Sequence, residues 1–188
     1  MKRVTSLLTL LLTWICVSMQ AQVTPLTNVP DGDYYIVCPA ASNHFAYYDG
    51  INAFLRRSSS APTAANETGI FTLTQGTDAN AGKYTIQCGG KYVVAGTSLQ
   101  HSAAAGVNVK LVDEAEATNI NKWWILAQDA SNANLIDIFP YQANIAAKTP
   151  AWNFASDHGG NANQAVGVYD ASDGNSQWAL LSTTGGGN

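Results

Sequence analysis

An all-β fold built from three similar units is what the sequence predicts, and three features predict it. Short runs of β-type residues open at Tyr34, Tyr84 and Leu135, 50 and 51 residues apart. An aromatic followed two places later by leucine closes each unit, at Phe71, Trp124 and Trp178, 53 and 54 residues apart. Both ends of a unit therefore keep nearly one period, which is how internal repetition shows itself. No segment carries a capped helical period: the best, Asp113 to Ala117, is one turn long and reads as a surface loop.

Residues 1–21 stand apart from that pattern. Lys2 and Arg3 precede an apolar run from Leu7 to Val17, and Ala21 offers a small residue before Gln22, the arrangement of a secretory signal peptide. The run is much shorter than the roughly twenty residues a membrane-spanning helix needs, so the expectation is export to the outside or the cell surface with no membrane span.

Residues 22–184 form the expected domain. The first unit, about 30–75, holds Tyr34-Tyr-Ile-Val-Cys38, His44-Phe-Ala-Tyr-Tyr48 and Ala53-Phe-Leu55 before closing at Phe71-Thr-Leu73. The second, about 80–128, holds Tyr84-Thr-Ile-Gln-Cys88, Lys91-Tyr-Val-Val94 and Val107 to Val112, and closes at Trp124-Ile-Leu126. The third, about 132–182, holds Leu135-Ile-Asp-Ile-Phe139, Asn144-Ile-Ala-Ala147 and Ala165-Val-Gly-Val-Tyr169, and closes at Trp178-Ala-Leu180. Each run is short, alternating or β-branched, and bounded by turn residues, as strands between turns are. Residues 185–188 read as a Gly-rich tail or the start of a linker to an appended domain.

Four strands in each of three units give about twelve, the number in a β-trefoil: a closed six-stranded barrel capped by three hairpins. Closure removes the exposed edges that short polar strands leave open. A β-sandwich is the alternative, and the threefold spacing favours the trefoil.

Composition narrows the function. Without Lys2 and Arg3 the chain carries seven basic residues against 13 acidic ones, a net charge of −6, which argues against nucleic acid as a partner because phosphate binding rests on clustered Lys and Arg. Cys38 and Cys88 end two strand-like runs; an exported protein invites a disulfide between them, and small buried thiols serve equally well, so both readings stay open. His44, His101 and His158 fall at different phases of their units, so no metal site is expected, nor any cofactor. Among hydrolase and nucleotide motifs there is no G-x-S-x-G, no H-E-x-x-H and no phosphate loop, and the expectation is a non-enzyme.

The unit endings Asn121-Lys-Trp-Trp124-Ile-Leu126 and Asn175-Ser-Gln-Trp178-Ala-Leu180 resemble those of ricin-type β-trefoil lectin domains, in which an N-Q-x-W stretch closes each unit. Lys122 and Ser176 replace the family's Gln, and Thr68 and Phe71 replace Asn and Trp in the first unit. The resemblance covers most of the chain from about Val29 to Thr183. It implies a glycan-binding site made of an Asp early in a unit, an aromatic platform on a later strand, and the Asn before the closing Trp. The third unit fits best, with Tyr169 as platform, Asn175 as the Asn and Asp157 near the Asp position. The second keeps Asn121 but offers Leu111 and Val112 where the aromatic belongs; the first offers Asp49 but Leu55 and Thr68 elsewhere.

The chemistry agrees with such a site: a sugar presents an apolar C–H face to an aromatic ring and a rim of hydroxyls to carboxylates and amides. Trp152, in the polar stretch TPAWNFASDHGGN, is a second candidate platform, because a large aromatic there must either cover the core or meet a partner. Sugar binding by a secreted module is thus the leading expectation. A non-catalytic adhesion or accessory domain that has lost it is the alternative, and a trefoil protease inhibitor presenting Arg56-Arg57 is a third.

Overall fold

The computed structural model describes residues 25–58, 69–96, 108–141, 150–154 and 165–184. The expected signal peptide, the Gly-rich tail, the run 144–147, Asp157, His101 and His158 lie outside those residues. Twelve strands follow one another among them: β1 (Gly32–Cys38), β2 (His44–Tyr47), β3 (Arg56–Arg57), β4 (Ile70–Gln75), β5 (Tyr84–Cys88), β6 (Lys91–Ala95), β7 (Val109–Val112), β8 (Trp124–Gln128), β9 (Ile136–Pro140), β10 (Ala151–Phe154), β11 (Val166–Tyr169) and β12 (Ala179–Ser182).

Six of these close a ring of antiparallel neighbours. β1 pairs β4 with Tyr34 opposite Phe71, β4 pairs β5 with Leu73 opposite Ile86, and β5 meets β8 at Tyr84 and Trp124. β8 pairs β9 with Leu126 opposite Ile138, and β12 returns to β1 with Leu180 opposite Ile36. The ring is completed where Ile136 and Trp178 exchange two backbone bonds of 2.8 and 2.9 Å. The closing aromatics Phe71, Trp124 and Trp178 thus face Tyr34, Tyr84 and Ile136, the opening strand of their own unit in every case.

The other six strands make the hairpins β2–β3, β6–β7 and β10–β11. The indole N–H groups tie these to the barrel: Trp124 donates to the carbonyl of Val93 at 2.8 Å and Trp178 to that of Trp152 at 3.0 Å, which makes Val93 and Trp152 equivalent positions. Trp152 sits edge-on against the closing aromatics of all three units, with ring centroids 5.2 Å from Trp124, 6.2 Å from Trp178 and 6.4 Å from Phe71. Such edge-to-face pairs point the positive ring edge at a negative face, adding to the apolar area they bury.

Several expectations are corrected here. Trp152 belongs to strand β10 rather than a loop, and all four residues of that strand are buried. The strand expected at Ala53–Leu55 is displaced to Arg56–Arg57, and the turn after β7 is a 3-10 turn over Glu114–Glu116. Cys38 and Cys88 are both buried in the core and are not joined by a disulfide, the second of the two readings the sequence left open. Burial raises both thiols, that of Cys88 to about 12.

Candidate functional site

The third hairpin sets two pairs of residues side by side on its outward face: Ala151 opposite Tyr169, and Asn153 opposite Gly167. Residues paired across antiparallel strands point to the same side. The alternate residues Trp152, Phe154, Val166 and Val168 point into the core, so the strand that looks uniformly buried has two distinct faces. Tyr169 remains 45% exposed at the end of β11. Gly167 brings no side chain over Asn153.

The loop that follows β11 folds back over this face. Asp170 accepts the backbone N–H of Ser172 at 2.8 Å, and Asp173 caps a 3-10 turn over Gly174–Ser176 by accepting the N–H of Asn175, also at 2.8 Å. These are the side-chain-to-backbone turns that Asp makes readily. The Asn153 amide donates to Asp173 at 3.0 Å and to the Ser176 hydroxyl at 2.9 Å, and that hydroxyl donates to the Asp170 carbonyl at 2.8 Å. Tyr169, Asp170, Asp173 and Asn175 are therefore gathered at one end of one hairpin, held there by Asn153 and Ser176. The sequence pointed to Tyr169 and Asn175 but not to Asn153, which alternates with two buried aromatics and could have been found by reading Ala151–Phe154 as a strand.

The remaining candidates do different work. Trp152 is fully buried at the centre of the aromatic core and offers no platform. Asp49 accepts the N–H groups of Ile51 at 3.0 Å and Asn52 at 2.9 Å, the Asn52 amide at 2.6 Å, and an ion pair from the Arg56 guanidinium. Four donors fill the lone pairs of a carboxylate, so Asp49 holds its own loop. Desolvation works to raise its carboxyl, but these hydrogen bonds outweigh it and keep the group well below the ordinary range. Asn121 is likewise a turn residue: its side-chain oxygen accepts the N–H of Thr118 at 2.9 Å, and its carbonyl accepts that of Ala95 at 2.8 Å.

Nor do Arg56 and Arg57 form an exposed loop. They pair with Tyr47 and Ala46 in β3, Arg56 lies against Asp49 and the Phe54 ring, and Arg57 donates to His44 Nδ1 at 2.8 Å and stands over the Phe154 ring. Desolvation and the Arg57 charge both lower the His44 pKa, keeping the imidazole neutral so that it can accept.

The equivalence of Val93 and Trp152 extends along both hairpins, so Tyr92, Val94, Lys110 and Val112 of the second unit stand where Ala151, Asn153, Gly167 and Tyr169 stand in the third. In the first unit Cys38 opposite His44 matches Cys88 opposite Lys91, which puts Tyr47 at the Asn153 position. Ser58, whose N–H bonds the Phe45 carbonyl at 2.9 Å, takes the Tyr169 position, where the sequence had suggested Leu55. Leu55 is fully buried in the core.

No family model matches the chain, and no curated protein matches it in sequence. Solved structures do match in fold. The β-trefoil BEL superposes with a TM-score of 0.61 at 17% identity, covering 85% of this chain and 99% of that one. A ricin B-like lectin from Macrolepiota procera, solved in complex with lactose, gives 0.60 at 15% identity over 83% and 99%. The designed threefold-symmetric protein ThreeFoil gives 0.57 at 18% identity over 80% and 99%. At these identities the likeness carries the fold: the chain is a β-trefoil.

Proposed function

We propose that the protein is an exported carbohydrate-binding module of the ricin-lectin type, with a neutral-sugar site on its third unit. The observation that carries this reading is the outward face of β10–β11, where an exposed Tyr169 adjoins the ordered Asp170–Ser176 loop. Tyr169 takes the apolar face of a sugar ring, while Asn175 and the carboxylates at Asp170 and Asp173 meet its hydroxyls; Asp157 belongs to the same proposal. Likeness in fold to a lectin solved with lactose supports the assignment. The apolar leader supports export.

The test is calorimetry against a panel of neutral mono- and disaccharides, paired with Tyr169→Ala. Binding by the wild type, weakened about tenfold or more in the variant at unchanged melting temperature, is the expected result. A wild-type domain that binds no sugar returns the reading to an accessory or adhesion domain. That second reading has its own support in Asp49 and Asn121, whose side chains are engaged in holding turns. The inhibitor reading has lost its loop, since the arginine pair lies in a hydrogen-bonded strand.

A further inference from the structure

The second unit does not simply lack the third unit's site; it carries a different one in the same place. Its outward face pairs Tyr92 with Val112 and Val94 with Lys110. An aromatic is present, but on the first strand of the hairpin instead of the second, where Ala151 stands in the third unit. The position of Gly167 is taken by Lys110. Lys122 reaches the same face from the turn before β8, with its ammonium 5.8 Å from the centre of the Tyr92 ring and 5.6 Å from that of Trp123.

These two lysines differ from the other cations described. Arg56 is paired with Asp49, Arg57 with His44, Lys83 with the Ala79 carbonyl and Asn80, and Lys91 with Asp113 at 2.6 Å. Among the described residues Lys110 and Lys122 have no side-chain hydrogen bond and no ion pair, and both are half-buried. Asp113, which follows β7, is already engaged by Lys91, and Glu114 and Glu116 stand in the exposed turn beyond it. Trp123 adds a buried indole N–H that has no acceptor among the described residues, on the ring that Lys122 covers. On a protein whose expected mature form is net acidic, two lysines on one hairpin face with no ion pair among the described residues, Lys122 against the Tyr92 ring and Lys110 opposite Val94, are a local exception.

We propose that the second unit binds an acidic sugar, one bearing a carboxylate or a sulfate, through Tyr92, Lys110 and Lys122. The ring of Tyr92 takes the apolar face of the sugar, and the two ammonium groups meet the acidic substituent as charge-assisted donors. Val94 and Val112 replace Asn153 and Tyr169, so the face lacks the polar residue and the platform of the neutral-sugar site. The assignment shares the sugar-binding reading of the fold but none of the third unit's residues.

Calorimetry of the mature protein with lactose, N-acetylneuraminyl-lactose and sulfated lactose tests it, with the two acidic probes separating carboxylate from sulfate recognition. The expected result is at least fivefold tighter binding of one acidic probe than of lactose, a preference that weakens as salt is raised. Lys110→Gln with Lys122→Gln, two surface changes that leave the core intact, removes the preference and spares lactose binding. Tyr169→Ala does the reverse. Equal affinity for all three probes overturns the proposal, as does a preference that survives the double lysine variant or disappears with Tyr169→Ala. Lactose binding without acidic preference sinks the second-unit site alone; acidic binding without lactose binding sinks the third-unit site alone; silence toward every probe sinks both.

Discussion

A single indole can serve the barrel and the hairpin at once, and Trp124 and Trp178 both do so. Each ring is fully buried in the core while its N–H crosses to a hairpin carbonyl, of Val93 and Trp152 respectively. The two contributions separate by mutation. Trp124→Phe keeps most of the buried ring and leaves the Val93 carbonyl without its partner, a loss of about 1–3 kcal/mol. Trp124→Ala also opens a cavity and costs about 3–5 kcal/mol. Urea denaturation of the two variants should show that order; equal losses would mean that the buried ring adds nothing beyond the hydrogen bond, and a Trp124→Phe variant as stable as wild type would mean that the hydrogen bond contributes nothing. The closing aromatics were legible in the sequence because a core position repeated around a symmetry axis must recur at a fixed spacing. Trp152 was less legible because an aromatic stands at that position in one unit only: no repeat marks it, and Ala151–Phe154 is four residues long in a stretch rich in Pro, Asn, Ser and Gly, too short for its alternation to stand out as a strand.

At the scale of the element, the β2–β3 hairpin shows how a loop anchored in the core by Leu55 is shaped further by polar contacts. Asp49 collects the N–H groups of Ile51 and Asn52, and Arg56 anchors it to the strand that follows. Asp49→Asn removes the charge from this network and should cost about 1–2 kcal/mol at neutral pH. The pH dependence has a definite sign. Hydrogen bonding holds the folded carboxyl below its ordinary value of 3.8, so the unfolded chain takes up the proton first. The stabilisation is complete above that value and is lost as pH falls below it toward the folded value. The gap between wild type and Asp49→Asn should therefore narrow on acidification through the carboxylate range in thermal melts, and a gap that stays constant would assign the loss to shape and not to charge. This hairpin also marks where sequence reading stopped. Asp49 in Tyr48-Asp-Gly50 carries the same signal whether it binds a ligand or closes a turn, because the chemistry that lets a carboxylate accept hydroxyls also lets it accept backbone N–H groups. Tyr169 carries the same ambiguity at the end of an alternating run, where a tyrosine packs as readily as it stacks, and its exposure of 45% is visible only in the fold.

For the whole molecule, closure of the barrel sets how the chain must fold. The segment after the expected leader is stitched across the barrel: the Leu26 N–H meets the Leu126 carbonyl at 2.7 Å, the Val29 N–H meets the Tyr84 hydroxyl at 3.1 Å, and the Tyr34 hydroxyl donates to the Pro30 carbonyl at 2.8 Å. At the other end β12 pairs with β1, with Tyr34 opposite Ser182. The first strand therefore lacks one neighbour until nearly the last residue of the domain is present, and no single unit can complete the aromatic cluster around Trp152. Joining such distant segments costs loop entropy before any contact repays it, which places the fold among slow folders, on the order of milliseconds to seconds. Refolding followed by tryptophan emission should show a phase in that range, since Trp124, Trp152 and Trp178 become buried only when the barrel closes. A chain ending before Ala179 leaves β1 without β12 and uncovers the backbone of β1 at Tyr35, Ile36 and Val37, which pair with Leu181, Leu180 and Ala179 in the intact domain; it should lose the cooperative unfolding transition of the intact domain. Retention of a sharp transition by that truncated chain, at an unchanged midpoint, would show that five strands suffice and that closure is not what holds the three units together.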